Sequence, residues 1–107
     1  MKRVFISMPM ADKTEAEIKN ERATIIERIT RFLQSESGEE LYIIDSYIDI
    51  PESELEGKNT GLMYLGKSIE LLAGADVAVF APGYENARGC VCEFTAAEKY
   101  GIRVIKL

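Results

Sequence analysis

Four short, apolar, β-favouring runs separated by segments of helical periodicity predict an α/β domain with a parallel sheet. Two further features agree. The run Val77-Ala78-Val79-Phe80-Ala81 has no polar face, as a strand covered on both sides requires. The length of 107 residues supports one real core but not two, so residues 1–107 are expected to form a single domain.

The first run, Lys2 to Ile6, ends in Val4, Phe5 and Ile6 and passes into Ser7-Met8-Pro9-Met10, where the proline stops the strand. The clearest helix follows. Thr14-Glu15-Ala16-Glu17 has the spacing of a capping box, and Ile18, Ile25, Ile26, Ile29, Phe32 and Leu33 recur at helical spacing. Glu15, Lys19, Glu21, Arg22, Glu27, Arg28 and Arg31 stay largely off that stripe and read as a solvated face. The helix is expected to end between Ser35 and Gly38.

Leu41 to Ile44 is the second strand. From Tyr47 to Thr60, about 14 residues carry no obvious periodicity, against the usual ~4–6 of a compact connection, and read as an active-site flap or a mobile loop. The acids here, Asp45, Asp49, Glu52, Glu54 and Glu56, read first as solvated charge. Calcium or magnesium binding is the lesser alternative, because no EF-hand spacing is present. Met63 to Ala73, with Leu65, Ile69 and Leu72 on one stripe, is the second helix, stopped by Gly74. After the central strand, Pro82 and Gly83 form a loop, and Asn86 is a candidate cap for a third helix, Arg88 to Tyr100. Gly101 closes that helix and Ile102 to Leu107 is the last strand. With right-handed crossovers this order gives a four-stranded parallel sheet, 2-1-3-4, with helices on both faces: a Rossmann-like, flavodoxin-like three-layer sandwich.

Composition removes several functions. There is no histidine, so Ser-His-Asp and Cys-His nucleophile systems and histidine-based metal sites cannot be built from this chain alone. Thirteen basic against eighteen acidic residues give a net charge of −5, the wrong sign for generic binding to a nucleic-acid backbone. No apolar run approaches the ~20 residues of a membrane span, and the N-terminus is too short and strand-like for a signal peptide. A cytoplasmic protein is expected, with neither membrane nor nucleic acid as partner. The two cysteines, Cys90 and Cys92, point to different faces of a helix and are expected as buried or half-buried reduced thiols, with redox or thiolate chemistry as the lesser alternative.

In this topology the switch point lies between the first and third strands, so the loops Ser7–Asp12 and Pro82–Arg88 face each other across a crevice. No G-x-G-x-x-G or Walker loop follows the first strand, which removes the phosphate cradle of dinucleotide and P-loop sites. Glu93, in the early turns of the third helix, is the candidate reactive carboxylate; the plain alternative is a wet glutamate on a helix face. Gly89 lets a ligand approach the backbone. Arg88 stands at a helix start, where a cation is misplaced unless an anion offsets it. Tyr84 either stacks on a base or covers the loop, Met8 and Met10 read as packing, and Asp76 reads as structural.

Three segments then carry a family resemblance: Ile6-Ser7-Met8-Pro9-Met10; Ala75-Asp76-Val77-Ala78-Val79-Phe80; and Pro82-Gly83-Tyr84-Glu85-Asn86-Ala87-Arg88-Gly89-Cys90-Val91-Cys92-Glu93, which runs on to Ala96, Ala97 and Gly101. In order and spacing, including a G-x-x-x-E pattern ending at Glu93, the chain resembles the nucleoside 2-deoxyribosyltransferase superfamily, and within it a branch of short bacterial and phage proteins. The resemblance implies an N-glycosidic bond enzyme, a deoxyribosyltransferase or an N-glycoside hydrolase, with Glu93 as the nucleophile on the anomeric carbon. It implies a nucleoside or nucleotide as substrate, contacts from Ser7, Met8, Pro9, Ser68, Tyr84, Asn86, Arg88 and Gly89, no metal or other cofactor, and homo-oligomerisation. An ionised nucleophile in a buried site needs donors, for which Arg88 and loop N–H groups are the candidates.

The chain also departs from the pattern. Ala87 stands six residues before Glu93, where the transferases carry an aspartate; Ser68 falls near another family acid; Met8 replaces a loop glycine; and Cys90 stands where threonine or another small residue is frequent. These differences keep two alternatives open: a nucleotide-binding or sensing module without the reaction, and a homo-oligomeric interaction protein.

Overall fold

In the computed structural model, which describes residues 1–107, the strands β1 (Lys2–Ser7), β2 (Leu41–Ile43), β3 (Val77–Phe80) and β4 (Arg103–Lys106) form one parallel sheet. Their order is β2-β1-β3-β4, as expected. β1 runs in register with β3 from Val4↔Val77 to Ser7↔Phe80, and β3 with β4 from Val77↔Arg103 to Phe80↔Lys106. All four residues of β3 are buried, which explains the absence of a polar face in that run.

The helices are α1 (Glu15–Ser37), α2 (Glu52–Leu55), α3 (Thr60–Leu72) and α4 (Arg88–Lys99). In α1 the capping box forms as the sequence predicts: Thr14 Oγ1 accepts from the Glu17 N–H, and the Thr14 N–H donates to Glu17 Oε1. Gly38 ends α1 in the left-handed conformation at φ 71°. On one face of the sheet Ile25, Ile29 and Leu33 of α1 pack on Val4, Ile6, Val77 and Val79. On the other, Leu72 of α3 and Ala97 of α4 pack on Phe5, Ala78 and Phe80. The result is the three-layer sandwich, and no helix is long and apolar enough to cross a membrane.

Four local expectations are corrected. The 47–60 connection is not structureless, since it contains the single turn α2. α3 begins at Thr60 rather than Met63, because Asn59 Oδ1 caps the Leu62 N–H and recruits an extra turn. Asn86 does not cap α4. It lies in a 3-10 turn, Tyr84–Asn86, and the cap position falls on Ala87, whose side chain has nothing to offer the helix. The second strand stops at Ile43, although the Ile44 N–H still donates to the Val4 carbonyl.

Candidate active site at Glu93

Glu93 is the only buried carboxylate in the chain. The cause is local: Cys90, Glu93 and Ala97 recur at i, i+3 and i+7, and this is the stripe of α4 that faces the interior. β1 supplies the first partner. Its alternation sends Val4, Ile6 and Met8 to the α1 face, and so Phe5 and Ser7 to the α4 face. At the carboxyl end of the strand the Ser7 hydroxyl donates to Glu93 Oε1 at 2.7 Å. α3 supplies the second: the Ser68 hydroxyl donates to Glu93 Oε2. Both oxygens of the carboxylate therefore receive a neutral donor.

The electrostatics are unusual for a buried charge. Such groups are ordinarily paired with an opposite charge. Glu93 has no salt-bridge partner, and Lys13, the cation on the neighbouring loop, is held by Glu21 at 2.6 Å. Nor does α4 provide much help, because Glu93 lies beyond the first helical turn, where the dipole's influence has faded. Hydrogen bonds to a charged acceptor contribute about 1.5–3 kcal/mol each, so two hydroxyls offset only part of the cost of burial.

Cys90 lies beside this pair. Burial raises its thiol above the ordinary value of 9.0; the adjacent Ser7 hydroxyl and the Lys13 ammonium oppose the rise and the charge of Glu93 adds to it. A neutral thiol at ordinary pH follows. Cys92 is exposed, which corrects the expectation that both thiols are at least half-buried: the two positions lie on different faces of α4, and only that of Cys90 is turned inward.

The remaining predicted contacts are distributed unevenly. Pro9 lies across from the Pro82–Arg88 loop: a Cβ built on Gly83, itself at φ 86°, would come within 3.9 Å of Pro9 Cγ. The two loops thus face each other as the topology requires. Met8 is buried in the α1-side core and presents nothing to a ligand there. Tyr84 stacks on Phe94 with ring centroids 5.1 Å apart and also meets Phe80 at 5.5 Å, so its ring covers the loop. Asn86 and Arg88 are exposed, and a Cβ on Gly89 would touch nothing. Arg88 does not donate to Glu93; its Nη2 passes over the start of α3, 3.1 Å from where a Cβ on Gly61 would stand. Ala87, at the turn into α4, carries no acid.

The two best-formed of several surface depressions have volumes of about 690 Å³, between α1 and β4, and about 570 Å³, around Glu52 to Thr60. Neither is lined by Ser7, Ser68 or Glu93, so the case for this site rests on the carboxylate's burial and its donors. No three acidic or cysteine side chains converge as metal ligands. Ser7 and Ser68 are named by the sequence pattern, but as contacts to a ligand rather than to Glu93. The place of Cys90 escaped that reading, although its i−3 relation to Glu93 puts both on one helix face. Comparison of the chain with protein-family models, with characterised proteins and with solved structures found no match.

Proposed function

We propose that the chain is an N-glycosidic bond enzyme acting on a nucleoside or nucleotide, with Glu93 as nucleophile. The observation that carries this reading is a buried carboxylate held by two hydroxyls and by no cation. A carboxylate whose charge is neutralised by an arginine or lysine is a poor nucleophile; one held only by neutral donors keeps its electron density. Ser7 and Ser68 fix both oxygens, which sets the direction of attack on an anomeric carbon entering between the Ser7–Asp12 and Pro82–Arg88 loops. Attack forms a glycosyl ester on Glu93 and releases the base with the bonding electron pair; water or a second base then resolves the ester. Homo-oligomerisation and the choice between transferase and hydrolase belong to the same reading.

The test is incubation with a panel of nucleosides, deoxynucleosides and their 5′-phosphates, read for free base. Release by the wild type and its loss in Glu93→Gln are expected. No release from any member, or equal release by the variant, sinks the proposal.

One observation favours a second reading. No second carboxylate is buried near Glu93, and Ala87 cannot protonate a leaving base. A module that binds the nucleotide without cleaving it is then the outcome, seen as a thermal shift with the same panel and no free base.

A further inference from the structure

β4 is the last strand on its side of the sheet, with β3 as its one neighbour. The Leu107 N–H donates to the Phe80 carbonyl at 3.0 Å, so the alternation of a strand turns the N–H and C=O groups of Val104 and Lys106 away from β3, towards the open edge. Such an edge is a template for another strand. Beside it the α1 face is also incomplete. The groove of about 690 Å³ has Ile29, Phe32, Ile105 and Leu107 as its apolar lining, and Phe32 is 49% exposed.

The charges around this edge indicate what pairs with it. Arg28 and Arg31 of α1 line the groove and no aspartate or glutamate does, the reverse of the balance in a chain of net charge −5. Arg28 has no ion pair. Arg31 has only an exposed pair with Glu27, which a competing carboxylate displaces at little cost. The two faces of β4 differ. Ile105 and Leu107 pack on the α1 side, whereas Val104 packs on the α4 side, and there the Lys106 ammonium lies 5.5 Å from the centre of the Phe94 ring with no carboxylate partner. A strand laid along β4 thus meets an apolar groove on one face and a cation on the other.

We propose that the β4 edge is a docking site for an extended acidic segment of another protein, in which apolar residues alternate with aspartate or glutamate. Its backbone pairs with the free N–H and C=O groups of Val104 and Lys106, its apolar side chains enter the α1–β4 groove, and its acids meet Lys106 on the opposite face. Arg28 and Arg31 attract the acids that flank the segment. Main-chain bonds supply affinity in this mode of recognition, and the alternating side chains supply the choice of partner.

Fluorescence anisotropy of the full chain with a panel of labelled peptides about six residues long, alternating glutamate with valine, isoleucine or phenylalanine, tests the proposal. Binding that weakens as salt rises is expected. Phe32→Glu, Arg28→Glu and Lys106→Glu should each raise the dissociation constant at least about tenfold, with circular dichroism reporting that the variants stay folded. Amide exchange read by NMR should slow at Val104 and Lys106 when peptide is bound, which contact by charge alone would not produce. Peptides carrying lysine in place of glutamate should not bind. The proposal is overturned if no member of the panel binds, if the lysine peptides bind as well, or if binding is indifferent to Phe32→Glu and Arg28→Glu or leaves exchange at Val104 and Lys106 unchanged. So too if exchange at those amides slows in the free protein as its concentration rises, because a second copy then occupies the edge.

Discussion

The two ends of the sheet handle charge in opposite ways. At the amino ends of the strands, Arg3 meets Asp76, Arg103 meets Glu36 and the Met1 ammonium meets Glu39, each pair opposite in sign and in contact with water. At the carboxyl ends, Glu93 is buried and meets only hydroxyls. The first arrangement follows from folding alone: exposed ions are inexpensive to place and their pairing adds a little. The second does not, because an apolar residue in the stripe of Cys90 and Ala97 would pack there without the loss of hydration. Packing alone therefore does not account for a carboxylate at this position, which is why the proposed function is built on it.

Glu93→Gln breaks this contrast most sharply. It keeps the side chain's shape and its hydrogen bonds, since one serine hydroxyl still donates to the amide oxygen while the other rotates to accept from the amide N–H. If the carboxylate is the nucleophile, base release falls at least about a thousandfold. Melting temperature, meanwhile, stays level or rises, because a buried charge has been removed. The opposite pattern, a large loss of stability with activity intact, would mean that the carboxylate is structural. Next in size is Ser7→Ala. It strips a donor from a buried anion and is expected to cost about 1–3 kcal/mol in denaturant unfolding, together with a drop in kcat. Ser68→Ala should follow the same pattern with a smaller stability cost, because Ser68 is only half-buried and water can replace its hydroxyl.

The thiols give a smaller but cleaner contrast within the same helix. Alkylation of the native protein near neutral pH, read by mass, should modify Cys92 and spare Cys90, with both reacting after unfolding. The sign of the stability effect also follows. Cys90 is raised in the fold, so its contribution is fully present below the ordinary 9.0 and is lost as pH climbs above it, when the unfolded chain ionises and the buried thiol resists. Rapid alkylation of native Cys90 would show that the stripe around Glu93 is open to solvent.

Much of this molecule was legible from the sequence, for identifiable reasons. The unbroken apolar run Val77–Ala81, the capping box at Thr14 and the glycines at 38 and 101 are local signals, and each appears where its chemistry puts it. With four parallel strands, handedness then left little freedom in the sheet order. Errors arose where tertiary contacts decide. The role of Asn59 as a cap, the turn at Glu52–Leu55 and the shift of a cap from Asn86 to Ala87 depend on how loops settle against their neighbours. In the site, Ser7, Ser68 and Glu93 lie on three elements, with 86 and 25 positions separating the two serines from the glutamate. No spacing rule shows that the hydroxyls serve the carboxylate. The same holds for Arg88, whose position at a helix start said nothing of its course over Gly61.

The smallest effect lies at the other end of the sheet. Asp76 Oδ2 accepts the Arg3 N–H at 2.8 Å, which ties the start of β3 to β1, and with the Arg3 guanidinium 3.5 Å away this holds its carboxyl below the ordinary 3.8. A carboxylate lowered in the fold contributes stability that is present above its unfolded value and disappears as pH falls through the folded one. Asp76→Asn should therefore leave a slightly less stable protein at neutral pH. Its stability should decline less steeply than the wild type's in the acid limb below about pH 4. Base release should be unchanged, because Asp76 stands at the opposite end of β3 from the site. Urea unfolding at several pH values, paired with the activity assay, reads both. If Asp76→Asn reduced activity as Glu93→Gln does, the division between an amino end that only stabilises and a carboxyl end that reacts would fail.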